Sequence, residues 1–217
     1  MAWLAHRGQV WKLVAMRIIA GTFRGRSLTA PPGRTTRPIT DRVKETLFNI
    51  LGHRLGLPGE LPALTVLDVF AGPGSLGLEA LSRGARRCTF VERDRAALRS
   101  LRQNIHTLGV EHACTIWADN AWTLHWPHAP QGIDLAFVDP PYRDGNDPQR
   151  LADLLQRMTA SLAPEALVVC RQENAAPALE PGLLRGVGVV DQRVIGRMRL
   201  VFLASLPADP DPRTPVT

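Results

Sequence analysis

The pattern of apolar positions along the chain changes near residue 60. Val43, Leu47, Ile50 and Leu51 recur at helical spacing, which predicts a helix capped by Thr40 with Asp41 in its first turn. Gly52 to Pro62 reads as a linker. From Leu64 short apolar runs alternate with amphipathic stretches. They predict a buried strand (VLDVF), a helix from Ser75 to Arg83, a strand (RCTFVE) and a long helix from Asp94 to Leu108. A strand (ACTIWA), a short helix, a strand (IDLAFVD), a helix from Pro148 to Leu162 and a strand (ALVVC) follow. Such alternation predicts an α/β fold with a parallel sheet wound on both faces. Val187 to Ile195 and Arg197 to Leu206 read as two strands joined at Gly196, an antiparallel hairpin at the sheet edge. Ahead of the first helix, Arg17 to Ala20 and Arg26 to Thr29 read as short strands around a Gly-rich turn, followed by the loop PPGRTTRPIT. The expected organisation is a poorly ordered segment 1–15, an N-terminal extension 16–60, a main domain 61–206 and a Pro-rich tail 207–217.

Composition adds a direction to this picture. With 217 residues, 45% hydrophobic and 21% charged, the chain is long enough for a real core, and collagen-like, coiled-coil and wholly disordered readings are excluded. The formal charge is +6, unevenly placed: through residue 60 there are ten basic residues against three acids, and beyond it 16 against 17. A basic N-terminal quarter points to a polyanionic partner. A GC-rich genome accounts for 24 Arg against two Lys, but not for the asymmetry. Cys88, Cys114 and Cys170 are too few and too scattered for a disulfide framework or a zinc site, and they read as buried thiols in a reducing cytosol. No segment has the form of a signal peptide or the roughly 18 apolar residues of a membrane span.

The first candidate chemistry is the turn after VLDVF, which reads Gly72-Pro73-Gly74-Ser75-Leu76-Gly77. Glycines there allow a sharp turn and close backbone approach to a ligand, and the helix that follows favours negative charge at its N-terminus. Glu92 ends the next strand, 20 residues past Gly72, where a carboxylate accepts both hydroxyls of a ribose. A dinucleotide enzyme and an S-adenosylmethionine enzyme share this pair. Asp68 tilts the choice, because an acid before the turn suits an ammonium and a sulfonium better than a pyrophosphate. Its bland alternative is a buried acid capping the turn. Asp119-Asn120, after the third strand, is placed to receive an adenine amine.

The second is Asp139-Pro140-Pro141-Tyr142, at the end of the fourth strand and holding the chain's one Tyr. Ligands in open α/β sheets bind beyond the carboxyl ends of strands, so this tetrapeptide is expected to face the Gly-rich turn. Two prolines stiffen the bend and leave a carboxylate and the Pro140 carbonyl as fixed acceptors. Together they accept the two N–H bonds of an exocyclic base amine and point its lone pair at an electrophile, while Tyr142 stacks on the base.

These motifs, with MRIIAGTFRGRSL, RPITDRVKETLFNIL, VLDVFAGPGSLGLEALSRGA and FVDPPY in order, resemble the RsmD family over roughly residues 16 to 206. The resemblance implies a Rossmann-like class I S-adenosylmethionine-dependent methyltransferase. Its sheet would be mostly parallel and seven-stranded, with an antiparallel C-terminal hairpin and an N-terminal β-hairpin/helix extension. It implies methylation of the exocyclic N2 of a guanine in 16S ribosomal RNA, free or within an assembling 30S particle, by a cytoplasmic monomer that uses no metal. Carried over by position, Asp68, Phe70, Ala71, Gly72, Gly74, Gly77, Glu92, Arg93, Asp119 and Asn120 would hold S-adenosyl-L-methionine. Asp139, Pro140, Pro141 and Tyr142 would hold the target base, and Arg17, Arg24, Arg26, Arg34, Arg37 and Arg42 would contact RNA phosphates. Arg37, Asp41, Arg42, Glu45 and Asn49 also have a reading as a cover over the methionine end of the cofactor, or as an internally salt-bridged helix. Three rivals stand beside this reading. A DNA or other RNA amino-methyltransferase acting on adenine N6 or cytosine N4 would use the same tetrapeptide. A nicotinamide oxidoreductase leaves that tetrapeptide unused. A non-catalytic RNA-binding module would not need an intact cofactor turn.

Overall fold

The computed structural model describes residues 5–6, 9–10, 16–32, 39–127 and 132–206, with only the backbone at 5–6, 9–10, 142 and 143. Two short strands, β1 (Ala5–His6) and β2 (Gln9–Val10), pair antiparallel near the N-terminus. Helix α1 (Asp41–Arg54) opens as its sequence predicts, with the Thr40 hydroxyl accepting from Val43 N at 3.4 Å. The sheet and its crossovers then follow in chain order as β3 (Thr65–Val69), α2 (Ser75–Ser82), β4 (Arg87–Val91), α3 (Arg95–Leu108), β5 (Cys114–Trp117), β6 (Ile133–Val138), α4 (Tyr142–Gly145), α5 (Pro148–Met158), β7 (Leu162–Glu173), β8 (Val187–Ile195) and β9 (Met198–Ser205).

Seven strands form one sheet in the order β5-β4-β3-β6-β7-β9-β8. The first five are parallel, and β9 inserts antiparallel between β7 and β8. The chain winds outward from β3 through β4 to β5, then returns to β6 on the other side of β3. The crevice beyond the carboxyl ends of β3 and β6 is therefore the topological switch point, where such sheets bind ligands. Side chains alternate between two cores. Val66, Phe90, Leu135, Phe137 and Phe202 pack under α1, α2 and α3, while Leu67, Val69, Val91, Val138 and Val168 pack against α5. Met16, Ile18 and Leu28 of the N-terminal arm enter the first core, so the arm is packed onto the sheet domain.

Four local expectations need correction. The paired arm strands are shorter than expected: around the Arg17–Ser27 bridge Ile18 N donates to Arg26 O and Leu28 N to Met16 O, and beyond it Ile19 N and Ala20 N donate to the Glu79 carboxylate on α2, at 2.8 and 3.0 Å. The short helix after β5 is a turn. Asn120 caps that turn, its side chain accepting from Trp122 N and its carbonyl from Thr123 N and Leu124 N. The helix predicted to run to Leu162 ends at Met158 and passes through a 3₁₀ turn (Thr159–Ser161). The strand predicted as ALVVC is longer, Leu162–Glu173, with an irregular register against β6 between Ile133 and Leu135.

Candidate active site

Parallel register builds the site as a row. Val91, Val69 and Val138 are aligned across β4, β3 and β6, with Trp117 on β5 and Cys170 on β7 in the same line. The next residue of each strand therefore falls at the switch-point edge. From β5 to β7 the row reads Ala118, Glu92, Phe70, Asp139, Arg171. Four of the five follow a residue type that favours strands, so each is carried there by burial of its predecessor.

The Gly-rich turn sits above the middle of this row. Gly72 has φ +56°, and a Cβ built there would meet no atom within 4 Å, so its outer side is open to a ligand. Gly77 serves packing instead. A Cβ there would lie 2.4 Å from Phe90 Cε1 and 2.6 Å from Cys88 Sγ, so its absence lets α2 lie close on β4. Phe70 has φ +63°, a left-handed conformation that costs a non-glycine residue of order 1–3 kcal/mol and tends to cluster at functional sites. Its ring packs on Trp122 with centroids 4.9 Å apart. Ala71 is buried beneath the turn, its N–H donating to Val91 O at 3.1 Å.

Two acids serve the turn. Asp68 is buried and its Oδ2 accepts from Gly77 N at 2.8 Å, so the contact it makes is the capping one. Burial pushes its carboxyl well above the ordinary range; the Gly77 N–H opposes this, and the charges of Asp139 and Glu92 add to it. Glu92 is half-buried and accepts from three backbone groups, Gly72 N at 2.8 Å, Arg93 N at 2.8 Å and Asp94 N at 2.7 Å. A carboxylate offers about four lone-pair sites. The three N–H groups thus lock its orientation toward the turn and leave acceptor capacity for a hydroxyl. Asp119 is exposed and Asn120 half-buried beyond β5, at the same edge. The residues fit the cofactor: an open glycine cradle, a locked carboxylate 20 positions on and a further polar pair lie along one edge.

Asp139 is held from β7. Its Oδ1 accepts from Arg171 Nε at 2.7 Å, and its N–H donates to Val69 O at 3.3 Å. Gln172 donates to Gly145 O at 3.1 Å, and Asn146 reaches Glu173 at 3.5 Å, so three consecutive β7 residues brace the loop that begins at Asp139. Pro140 is buried, while the Pro141 carbonyl accepts from Asp144 N and Gly145 N at 2.9 Å and so caps α4. Tyr142 opens α4; its side chain lies outside the described residues. Sequence reasoning missed Arg171, although the residue following ALVVC was the place to look once the sheet register was assumed.

Of the six arginines assigned to RNA, Arg17, Arg24, Arg26 and Arg42 are exposed, and Arg34 and Arg37 lie outside the described residues. Arg17 pairs with Asp41 at 2.8 Å, which ties the arm to the start of α1. A deeper tie escaped the sequence altogether. Lys44 and Glu79, 1% and 0% exposed, lie 3.3 Å apart, and the same carboxylate holds Arg83 Nε at 2.9 Å. Lys44 Nζ also donates to Arg17 O at 2.5 Å and to Ser75 Oγ at 3.3 Å, linking arm, α1 and the start of α2. Burial lowers the Lys44 pKa, against the opposing pull of Glu79. Among the described residues no group of three His, Cys, Asp or Glu side chains is placed to hold a metal ion, and no helix is long and apolar enough to cross a membrane.

A switch-point crevice lined by a glycine cradle, a locked acid and an Asp-Pro-Pro bend, on a sheet whose last strand inserts antiparallel, defines a class I methyltransferase dependent on S-adenosylmethionine. The family model described as "Conserved hypothetical protein 95" matches residues 16–204. Ribosomal RNA small subunit methyltransferase D of Escherichia coli (strain K12) is 42% identical over 166 residues, 76% of this chain and 79% of that protein. The protein of the same name from Haemophilus influenzae is 38% identical over 168 residues, 76% of this chain and 83% of its own. The solved structure of "Putative methyltransferase yhhF from Escherichia coli" superposes with a TM-score of 0.72 at 33% identity, covering 89% of this chain and 99% of that one. The chain belongs to the ribosomal RNA small subunit methyltransferase D family, RsmD.

Proposed function

We propose that this protein methylates the exocyclic N2 amine of a guanine in 16S ribosomal RNA, acting as a monomer in the cytoplasm on RNA that is free or part of an assembling small subunit. The observation that carries the reading is the row across the switch point, in which Asp139 stands two strands from Glu92 with the open side of Gly72 between them.

When bound, S-adenosylmethionine supplies an electrophilic methyl group and keeps the C–S electron pair on sulfur as that methyl leaves. Gly72, Gly74 and Glu92 would hold its ribose and amino-acid portions, and Asp119 or Asn120 its adenine. Asp139 and the Pro140 carbonyl accept the two N–H bonds of a guanine amine that has been exposed from its helix, and Tyr142 stacks on the base. Accepting both N–H bonds draws the nitrogen lone pair out of conjugation with the ring and aims it toward the Gly-rich turn. The Pro141 carbonyl accepts from Asp144 N and Gly145 N at the start of α4, which supports Pro140 as the acceptor. The exposed Arg24, Arg26 and Arg42 would grip RNA phosphates beside the site.

Mass spectrometry of ribosomal RNA from cells lacking the gene tests the reading directly. The expected result is loss of one N2-methylguanosine from small-subunit RNA and its return with the wild-type gene but not with Asp139→Ala. Loss of a methyladenine or methylcytosine instead, or no change in any methylated base, would overturn it.

A further inference from the structure

We propose that the outer face of α3 is a second RNA-contact surface, separate from the N-terminal arm, which binds the phosphate backbone flanking the target base. Arg95, Arg99, Arg102 and His106 are all exposed and follow one another at steps of four, three and four residues. At 3.6 residues per turn they fall within about 60° of one another, a single stripe. The buried residues of the helix, Leu98, Leu101, Ile105 and Leu108, face the core, so the stripe points to solvent. Arg95, Arg99 and Arg102 have no ion-pair or hydrogen-bond partner for their guanidinium groups among the described residues, and His106 pairs with Glu111 at the far end. From 93 to 108 the single acid is Asp94, which is engaged as the helix cap through Ala97 N at 2.8 Å.

Folding gives no reason for this arrangement. Like charges four residues apart repel along a helix, and a cation in the first turn opposes the helix dipole, so Arg95 and Arg99 are placed where an isolated domain gains nothing from them. A polyanion supplies the missing return. The stripe begins immediately beyond Glu92, at the edge of the proposed cofactor site, and runs about 10 Å from Arg95 to Arg102. The chain-level charge count conceals it, because acids elsewhere in residues 61–217 balance these arginines in number but not in position.

This surface rests on the RNA-methyltransferase reading. Its test is the triple variant Arg95→Gln, Arg99→Gln, Arg102→Gln, assayed on transcribed 16S ribosomal RNA across a potassium chloride series. Removing one cation from an RNA phosphate lowers the slope of log affinity against log salt by about 0.7 to 0.9. The triple variant is therefore expected to lose about two units of slope and to bind roughly tenfold more weakly at moderate salt. The rate at saturating RNA, cofactor affinity by calorimetry and thermal stability should be unchanged or, for stability, raised. An unchanged slope in a preparation whose wild type methylates the RNA overturns the surface alone. A wild type that methylates neither free 16S ribosomal RNA nor small-subunit particles that carry it overturns the underlying reading.

A separate observation carries a second assignment. The geometry points to Arg171 as the positioning residue for Asp139. Register brings it opposite Asp139 on β7, and its Nε holds Oδ1 at 2.7 Å with both side chains largely buried. Holding Oδ1 turns Oδ2 toward the target amine and offsets repulsion from the neighbouring Asp68 and Glu92 acids. Arg171→Ala should lower kcat at least tenfold with the cofactor KM unchanged, and Arg171→Lys should recover part of it. In an Asp139→Asn background, where no carboxylate remains to be held, Arg171→Ala should have little further effect. An equal loss in both backgrounds, or none in either, would overturn the assignment.

Discussion

Replacing Glu79 by Gln is the sharpest probe of how the arm is joined to the catalytic domain. Its carboxylate is saturated: Oε2 takes Lys44 Nζ and Ile19 N, and Oε1 takes Arg83 Nε and Ala20 N. Whichever way the amide of a Gln is turned, its NH₂ confronts two donors, so two hydrogen bonds are lost and two buried cations lose their counter-charge. Breaking a buried pair by removing one partner costs about 3–5 kcal/mol. For a chain of this size that corresponds to a fall of roughly 10 °C in Tm. Urea denaturation should show a lower midpoint with an unchanged slope.

The pH dependence follows from Lys44. Burial lowers its pKa in the folded chain below the 10.5 of the unfolded one, so between those values the unfolded chain binds more protons and stability rises with pH. Removing Glu79 takes away the chief influence holding that pKa up and extends the window downward. The deficit of Glu79→Gln should therefore be smaller at pH 10 than at pH 7. Because either Ile19 N or Ala20 N loses its acceptor, the KM for RNA should rise as well. A loss below about 1 kcal/mol, or a deficit that grows with pH, would refute the reasoning.

Three further outcomes follow from the same structure. Gly77→Ala forces a Cβ to within 2.4 Å of Phe90, and overpacking of about 1–3 kcal/mol should outweigh the roughly 1 kcal/mol gained in helix propensity, read as a lower urea midpoint. Glu92→Ala removes a charged acceptor whose hydrogen bonds contribute about 1.5–3 kcal/mol, so calorimetry should show S-adenosylmethionine binding weakened about tenfold to a hundredfold, with turnover largely restored at saturating cofactor. Burial pushes the thiols of Cys88 and Cys170 well above their ordinary range and that of Cys114 up to about 12, so the native protein should react slowly with a thiol reagent at pH 8 and fully only after unfolding.

Much of this protein is legible in one dimension. Short, nearly continuous apolar runs such as VLDVF and IDLAFVD mark strands buried on both faces, and the switch to helical spacing after GPGSLG and after Asp94 marks the crossovers, because burial imposes those patterns locally. The glycine turn, Glu92 and the Asp-Pro-Pro bend are legible for the same reason: each lies at a strand end, and an alternating α/β chain brings all strand ends to one edge. Boundaries failed where a side chain competed with the ladder, as Glu79 does for the arm strands.

What sequence could not determine is pairing between distant positions. Asp139 and Arg171 are 32 residues apart and meet because β6 and β7 are parallel neighbours in register. Lys44, Glu79 and Arg83 look like surface charges along the chain, and become a buried triad because the arm closes over α2 and excludes water. Net charge divides in the same way. Counting along the chain locates a basic N-terminal quarter, whereas only the winding of α3 lines Arg95, Arg99 and Arg102 along one exposed face. Local periodicity is set by each segment's own need to hide apolar surface and can be read from the segment alone. The electrostatics of the site depend on which segments the fold brings together, and that is decided by the tertiary structure.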